Sequence, residues 1–286
     1  MKISTIYEKK RTVFSLEVFP PKKTSSVDSI YETLDGLRGI NPDFISVTYG
    51  AGGNIADSNT RNIAEIIKKE YGIESMAHLT CVSTTYSDAG IILDDFSEHG
   101  IENILALRGD ISPDHPPKHD FSHASDLAAF IKKNGAFDIG GACYPETHAE
   151  AENSEKDIEN LKIKIESGVT FLISQLFFNN RHFYDFSDKI VKAGINVPVS
   201  AGIMPVMNKK QIERMVTMCG ASIPNKLSKL MMKYADDSES LKSAGIEYAV
   251  GQIEELVSNG VRGIHLYTMN NPEVGNKIYN SIKNIL

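Results

Sequence analysis

The sequence predicts a closed (β/α)8 barrel, the TIM-barrel fold, as a single domain over residues 1–286 with extra helices before the last strand. Apolar runs of strand length alternate with longer segments of 3.6-residue hydrophobic period, and this alternation recurs eight times. Alternating strands and helices form parallel sheets with right-handed crossovers, and eight such units favour closure. An open sheet would instead predict a GxGxxG turn after an early strand. The segment GAGG at residues 50–53 lacks that spacing.

Each strand is predicted from a short apolar run rich in β-branched and aromatic residues. The first run, TVFSLEVF, stops at two prolines, which is typical of a buried strand that ends there. The later runs have the same length and character. The predicted strands are residues 12–19, 44–49, 76–81, 104–109, 139–144, 171–178, 199–204 and 263–269.

Helices are predicted where the hydrophobic period changes to 3.6 residues, and several have recognisable start signals. Asn271 precedes Pro272 and an acidic residue, the pattern of an N-cap followed by a first-turn proline. Thr85 with Asp88, and Ser154 with Asp157, resemble capping boxes. The predicted helices are residues 28–39, 58–70, 86–98, 124–133, 154–167, 181–193, 208–219, 225–234, 239–258 and 273–284.

Composition narrows the class of protein. Thirty basic and 37 acidic residues give a net charge of −7, and no run of Lys or Arg exceeds a pair, which argues against a nucleic-acid or anionic-membrane surface. Three widely separated cysteines without a CxxC motif suit a reduced cytosolic compartment. No stretch approaches the roughly 20 apolar residues of a membrane span, and the first residues lack a signal-like apolar region. We therefore expect a cytoplasmic protein.

Glu17 is a lone carboxylate inside the first apolar run. An ionised carboxylate in a buried strand is costly, and burial pushes its pKa upward. A carboxyl group that keeps its proton near neutral pH is suited to act as a general acid. We therefore expect a raised pKa at Glu17 and an acid role.

Polar residues gather where the predicted strands end. In a parallel barrel these ends form one rim, and chemistry is found there. The rim residues include an acid, an Asp, a Gln and an Arg, which a purely structural barrel would not need. They are Glu17, Thr48, His78, Thr80, Arg108, Gly109, Asp110, Tyr144, His148, Gln175, Tyr267, Thr268 and Asn270. His265, earlier on the last strand, is interpreted as structural.

Short motifs in chain order resemble the methylenetetrahydrofolate reductase family, in its short, barrel-only bacterial form. The resemblance covers the whole chain, and the motifs are highly specific in combination. They are FSLEVFPPK (14–22), SVTYGAGG (46–53), AHLTC (77–81), ALRGD (106–110), YPETH (144–148), SQLFF (174–178), GIMP (202–205) and LYTMN (266–270).

This resemblance implies a flavoenzyme of one-carbon metabolism and methionine biosynthesis. NADH or NADPH would reduce a tightly held FAD, which would then pass hydride to 5,10-methylenetetrahydrofolate in a ping-pong reaction. FAD lying across strand ends would explain the missing GxGxxG turn. No arginine that would bind the 2′-phosphate of NADPH is evident, which favours NADH weakly. The family often forms dimers or tetramers, so a homo-oligomer is expected, with small-molecule substrates and no metal, nucleic-acid or membrane partner.

The resemblance also implies the site residues. Glu17 matches the catalytic acid, and Asp110 matches a catalytic residue that touches flavin and pterin. Spacing independently places Asp157, Asn160 and Lys164 on one helix face, although Asp157 also fits a capping box behind Ser154. The implied cofactor contacts are Thr48, Tyr49, Ala51, His78, Arg108, Gly109, Asp110, His123, Ala124, Tyr144, His148, Ala151, Asp157, Asn160 and Lys164; Arg108 would pair with the FAD pyrophosphate or merely with an acidic side chain.

The implied substrate contacts are Asp110, Gln175, Gln211, Met215 and Met269, with Thr48 against the nicotinamide. Three positions depart from the enteric pattern. Met215 replaces an aromatic residue, Asn271 replaces an arginine associated with folate, and Val169 replaces an alanine behind the FAD-binding helix.

Two other functions stay open at this level. Cys81 and Cys143 end strands three and five, so a zinc-dependent methyl-transfer barrel is conceivable, although zinc needs three or four converging ligands and the adjacent-cysteine signature is absent. A non-catalytic folate- or flavin-binding protein would be signalled by loss of Glu17 or Asp110, and both are present. A flavin-independent aldolase barrel is disfavoured because no lysine lies within a predicted strand core.

Overall fold

A computed structural model describes residues 1–21, 28–49, 59–111 and 116–286. Within these residues, eight parallel strands close into a barrel in chain order, with β1 pairing β8, which confirms the predicted fold. The strands are β1 (Val13–Val18), β2 (Phe44–Val47), β3 (Glu74–Thr80), β4 (Asn103–Leu107), β5 (Asp138–Cys143), β6 (Phe171–Ser174), β7 (Val199–Ile203) and β8 (Gly263–Tyr267).

Helices surround the barrel, and α8, α9 and α10 all fall between β7 and β8, which confirms the extra helices before the last strand. In the described part of the chain no helix is both long and apolar enough to cross a bilayer. The helices are α1 (Ile3–Lys9), α2 (Asp28–Gly36), α3 (Asn59–Lys69), α4 (Tyr86–Glu98), α5 (Ala124–Asn134), α6 (Ser154–Glu166), α7 (Asn180–Lys192), α8 (Lys209–Cys219), α9 (Asn225–Lys233), α10 (Ser238–Ser258) and α11 (Pro272–Ile282).

Two of the three predicted helix starts are confirmed. Thr85 caps α4 in a reciprocal capping box with Asp88, and the Asn271 side chain accepts from the N–H of Val274 with proline at the start of α11. The capping box behind Ser154 is wrong. The N-cap of α6 is Asn153, whose side chain accepts from the N–H of Lys156, so Asp157 is released for another contact.

Helix α1 was not predicted, and it closes the N-terminal end of the barrel. Ile3 and Tyr7 are buried against the first layer of inward-facing side chains, and the Tyr7 hydroxyl lies 2.7 Å from Ser200 Oγ on β7. The N–H of Ile3 donates to Asn103 Oδ1 on β4. The side chains packed in this layer are Val13, Phe44, Met76, Leu105, Phe171 and Ile173.

The strands end earlier than the apolar runs suggest, which changes where two site residues lie. β2 ends at Val47 and β6 ends at Ser174, so Thr48 and Gln175 follow their strands rather than lying within them. Phe177 and Phe178 are fully buried beyond the end of β6, so the long apolar run reflects burial and not strand length. Both site residues consequently lie in the C-terminal rim.

Candidate functional site

A cleft of about 410 Å³ opens at the C-terminal ends of β4 and β5, between α5 and α6. It gathers a large part of the predicted cofactor contacts. A second cleft, of about 710 Å³, lies at the opposite face between α1, α7 and the start of β7. The C-terminal face is where barrels of this kind carry their chemistry, so the first cleft is the candidate site. The predicted residues that line it are Arg108, His123, Ala124, Tyr144, His148, Ala151, Asp157, Asn160 and Lys164.

Helix α6 contributes three side chains to this cleft from one face, as the spacing predicts. Asp157 Oδ2 accepts from the backbone N–H of His148 at 3.0 Å, which ties the β5–α6 loop to the helix. Lys164 Nζ donates to the carbonyl of Ala142 at 2.7 Å. Burial lowers the pKa of Lys164, opposed by Cys143 and Asp157. Lys164 is partly buried, and its ammonium is held at a fixed place in the lining of the cleft.

Gly141 allows α6 to pack closely on β5. A Cβ at this position would lie 3.0 Å from Val169 Cγ1 and 3.1 Å from Lys164 Cδ. Val169 is buried behind the cleft, as the resemblance implies. The absence of a side chain at Gly141 therefore lets Lys164 reach the floor of the cleft.

Arg108 forms a two-pronged ion pair with Glu150 across the cleft. Its Nη1 and Nη2 lie 2.5 Å and 2.9 Å from the two carboxylate oxygens, and the N–H of Glu150 donates to His148 Nδ1 at 3.1 Å. The hydrogen bond with Glu150 raises the pKa of Arg108. Of the two predicted partners for Arg108, the structure shows the acidic side chain.

Glu17, at the end of β1, directs its carboxylate into the barrel. Its Oε2 lies 3.5 Å from Nε2 of His78 on β3 and 3.5 Å from Nε2 of His265 on β8. The Glu17 side chain is 18% exposed, whereas those of His78 and His265 are 7% and 0% exposed. The carboxyl is therefore reached from the rim, while both imidazoles lie beneath the surface.

The expected raised pKa of Glu17 is wrong. Burial does act to raise it, but the hydrogen bond with His265, the charges of His78 and His265 and the hydrogen bond with Ser46 together lower the pKa. Burial lowers the pKa of His78 to about 4, although the charge of Glu17 opposes this. Glu17 therefore lies in the barrel as a carboxylate with polar partners on three other strands.

The end of β8 fixes the end of β1 beside Glu17. Thr268 Oγ1 donates to the Glu17 carbonyl at 2.6 Å, and the Asn270 side chain bonds both the N–H and the carbonyl of Phe19, at 3.0 Å and 2.8 Å. Met269 and Asn270 both have φ of 52°, a left-handed conformation that is rare for residues other than glycine. This turn holds the backbone around Glu17 in place.

Tyr267 and Gln175 occupy the interior of the rim near β6. The Tyr267 hydroxyl donates to the carbonyl of Ser174 at 2.8 Å, and burial followed by the charge of Glu17 raises its pKa. Gly202 makes room for this side chain, since a Cβ there would lie 2.8 Å from Tyr267 Oη and 2.9 Å from Tyr267 Cε2. Gln175 Oε1 accepts from the N–H of Leu176 at 2.8 Å, so part of the predicted pterin-binding amide is occupied.

The remaining predicted contacts lie on the rim outside the cleft. Asp110 is exposed after β4, and Gln211, at the start of α8, is partly buried. Met215 and Met269 pack against an apolar cluster that includes Met204 and Leu227. Ala51 lies outside the described residues. The contacts outside the cleft lining are Thr48, Tyr49, His78, Gly109, Asp110, Gln175, Gln211, Met215 and Met269.

Two residues beside the site were not singled out as functional from the sequence. His265 was interpreted as structural, yet it lies beside Glu17, because Ser15 pairs with His265 and Glu17 with Tyr267 once β8 closes on β1. Glu150 was not predicted to be a site residue. Its position in the loop after β5, close to Tyr144 and His148, was the available signal.

Cys81 and Cys143 are buried, and burial raises the pKa of both thiols, that of Cys81 to about 11. A cysteine that binds zinc does so as a thiolate. Among the described residues, no group of three or more His, Cys, Asp or Glu side chains is arranged to hold a metal ion. The geometry thus gives the zinc-dependent alternative no support.

Comparison with known proteins finds one family, both by family model and by individual relatives. The family model described as methylenetetrahydrofolate reductase matches residues 2–283. A 5,10-methylenetetrahydrofolate reductase from Pectobacterium carotovorum subsp. carotovorum is 36% identical over 268 residues, which cover 94% of this chain and 89% of that protein. Methylenetetrahydrofolate reductase (NADH) 1 of Arabidopsis thaliana is 34% identical to this chain. The aligned region covers 94% of this chain and 48% of the plant protein.

A solved structure of a Clostridium thermocellum protein covers 100% of both chains with a TM-score of 0.73 at 16% identity. That protein is described as uncharacterised and as binding two copies of 5-methyl-5,6,7,8-tetrahydrofolic acid. At this identity the likeness shows the fold alone, and it agrees with the closed barrel seen here.

Proposed function

Since this chain belongs to the methylenetetrahydrofolate reductase family of oxidoreductases, we propose that it reduces 5,10-methylenetetrahydrofolate to 5-methyltetrahydrofolate with FAD as cofactor and NADH or NADPH as electron donor. The two half-reactions would follow one another in a ping-pong sequence. The observation that carries the proposal is that a cleft containing Lys164 and Arg108 shares one rim of the barrel with the partly buried carboxylate of Glu17. The name of the plant relative specifies NADH, which favours that donor.

The cleft residues fit the phosphate and adenosine half of FAD. Lys164 and Arg108 would hold the pyrophosphate, because a buried ammonium and a guanidinium are the groups that bind phosphate most strongly. Asp157 and Asn160 would hold sugar and base polar groups. FAD would supply hydride transfer, accepting from the nicotinamide and donating to the folate. Glu150 must release Arg108 for the full set of contacts to form.

Glu17 would act on the folate. Opening the methylene bridge requires a proton on N10, which leaves an iminium at N5 that can accept hydride. We assign delivery of this proton to Glu17, which is reached from the rim and held by the β8 turn. Asp110, on the same rim, would favour the iminium cation through its negative charge. Gln175 would use its remaining amide groups to hold the pterin.

The proposal is tested by the absorption spectrum of the purified protein. We expect a yellow protein that NADH bleaches and that methylenetetrahydrofolate then re-oxidises. In Glu17→Gln, NADH should still bleach the flavin, but re-oxidation by folate should fall by at least about 100-fold, the usual size of a general-acid contribution. The control is Glu98→Gln, the same change at an exposed position on α4, which should behave as the unmodified protein.

Three results would count against the proposal. A colourless protein that takes up no flavin would remove the cofactor. Reduction by NADH without any re-oxidation by folate would favour a different substrate or a binding protein. Normal re-oxidation in Glu17→Gln would refute the acid role of Glu17 but would leave the proposed reaction standing.

A further inference from the structure

His265 has one ring nitrogen fixed and the other facing Glu17. Its Nδ1 lies 2.8 Å from Ser15 Oγ, and Ser15 Oγ itself donates to the Ile264 carbonyl at 3.4 Å. We assign the serine hydrogen to that carbonyl, which leaves the serine oxygen to accept from Nδ1–H. The Nε2 atom of the same ring lies 3.5 Å from Glu17 Oε2.

This arrangement places one proton between Nε2 and Oε2. With Nδ1 protonated, the pair consists either of an imidazolium facing a carboxylate or of a neutral imidazole facing a carboxylic acid. Both forms contain the same number of protons, and both satisfy the two facing atoms. The two forms differ only in which of the two facing atoms carries this proton.

The other groups facing Glu17 do not compete for this proton. On β3, His78 is neutral at pH 7 because burial lowers its pKa to about 4, and its Nε2 has no hydrogen-bond partner in the described part of the chain. On β2, Ser46 offers a hydroxyl, 3.5 Å from His265 Nε2. On β8, burial raises the pKa of Tyr267, which keeps the phenol neutral.

We propose that His265 is a positioning residue that orients Glu17 and shares with it the proton that Glu17 delivers, an inference that rests on the proposed function. In the open barrel the proton resides on Nε2 and Glu17 is a carboxylate. When substrate covers the rim and excludes water, the charged pair loses solvation and the neutral pair is favoured. The N–H bond at Nε2 then breaks and the O–H bond at Oε2 forms.

The next step returns the pair to its first state. Glu17 transfers the proton to the substrate nitrogen and becomes a carboxylate again, beside a neutral imidazole. A proton from solvent, entering at the rim after product leaves, restores the imidazolium. This sequence explains how a carboxyl with a lowered pKa in the open barrel can serve as an acid in the complex.

The test follows the ionisation of Glu17 directly, on the purified protein with whatever cofactor it carries. The infrared band of the protonated carboxyl is identified by its shift with ¹³C-labelled glutamate and by its loss in Glu17→Gln. We expect His265→Gln to raise the midpoint of the Glu17 titration by about one pH unit or more, because burial then dominates. Ser15→Ala, which keeps the ring but removes its fixed partner, should raise the midpoint by less.

Two outcomes would overturn the inference. One is a Glu17 midpoint that moves in neither His265→Gln nor Ser15→Ala. The other is an equal or larger rise in His78→Gln, which would assign the shared proton to His78. Neither infrared measurement needs turnover. The reductase proposal is tested by the absorption spectra with NADH and folate, which are a separate experiment. A negative infrared result therefore leaves the reductase proposal intact.

Discussion

Glu17 illustrates how neighbours can outweigh burial in setting the charge of a carboxyl group. Removing a carboxylate from water is costly, and alone this would leave Glu17 protonated. Instead, hydrogen bonds with His265 and Ser46 stabilise the ionised carboxylate. Glu17 is thus an anion in the open barrel, and the acid role proposed for it requires a change of surroundings that favours its protonated form.

Lys164 carries the opposite charge under comparable constraints. Its ammonium is partly buried and donates to the Ala142 carbonyl. We expect Lys164→Met to weaken FAD binding about tenfold or more, because a hydrogen bond to a charged group contributes roughly 1.5–3 kcal/mol. Folding stability should change little, since an apolar chain of similar length replaces a buried charge. Flavin dissociation constants, from fluorescence titration of the apoprotein, measure the effect.

The matched control is Lys162→Met, an exposed lysine on the same helix. Its flavin affinity should equal that of the unmodified protein. If Lys164→Met binds flavin as tightly as Lys162→Met does, the lysine serves only to hold the helix on β5, and the phosphates must lie elsewhere.

Among the elements, α1 is short but covers one whole end of the barrel. It has seven residues, too few to be stable alone in water, so packing against the barrel must hold it. Ile3 is fully buried. We expect Ile3→Ala to lower the free energy of unfolding by about 2–4 kcal/mol, the cost of a cavity in a core. Glu8→Ala, on the exposed face, should change it by less than about 0.5 kcal/mol. Denaturant unfolding compares the two.

A loss below about 1 kcal/mol for Ile3→Ala would mean that the barrel end is closed mainly by its own strands. In that case the first layer of side chains, with Phe44 and Phe171 in contact, would be sufficient without the helix.

The elements differ in how far local sequence specifies them. The strands and long helices could be predicted because hydrophobic period is a local property, and the face shared by Asp157, Asn160 and Lys164 follows from helix geometry. Helix α1 could not, because its partners Asn103 and Ser200 are distant in sequence. The charge state of Glu17 was missed for the same reason: His265 becomes its neighbour only when β8 closes on β1.

At the scale of the whole molecule, the two ends of the barrel have different tasks. The N-terminal end is sealed by α1 and by a polar network, whereas the C-terminal end keeps its cleft and the Glu17 carboxylate open to the rim. In that network Asn103 Nδ2 donates to Glu74 Oε1 and to the Ser75 carbonyl, each at 3.1 Å. The stabilising contacts of α1 and the candidate site therefore lie at opposite ends of the barrel, as is general for barrels of this kind.

The polar network at the sealed end predicts how stability depends on pH. Lys68, on α3, donates to Glu102 at 2.5 Å and to the Gly100 carbonyl at 2.8 Å, and its Nζ lies 3.1 Å from Glu74. The hydrogen bond with Lys68, followed by that with the amino group of Met1, lowers the pKa of Glu102 from 4.5 to about 2. A carboxyl with a lowered folded-state pKa stabilises the fold above its ordinary pKa, and this stabilisation is lost as the pH falls from 4.5 toward 2.

We therefore expect Lys68→Met to be less stable than the unmodified protein at pH 6, with a gap that shrinks as the pH falls toward 3. The gap should be about 1 kcal/mol or less, because Glu102 is 46% exposed and solvent screens the pair. Urea unfolding at several pH values measures it. Lys69→Met is the control: its partner Glu65 lies one turn away on the same helix, so it joins no two elements and should cost less. A gap that stayed constant down to pH 3 would show that Lys68 stabilises the barrel through packing of its methylene chain, and not through the charge of Glu102.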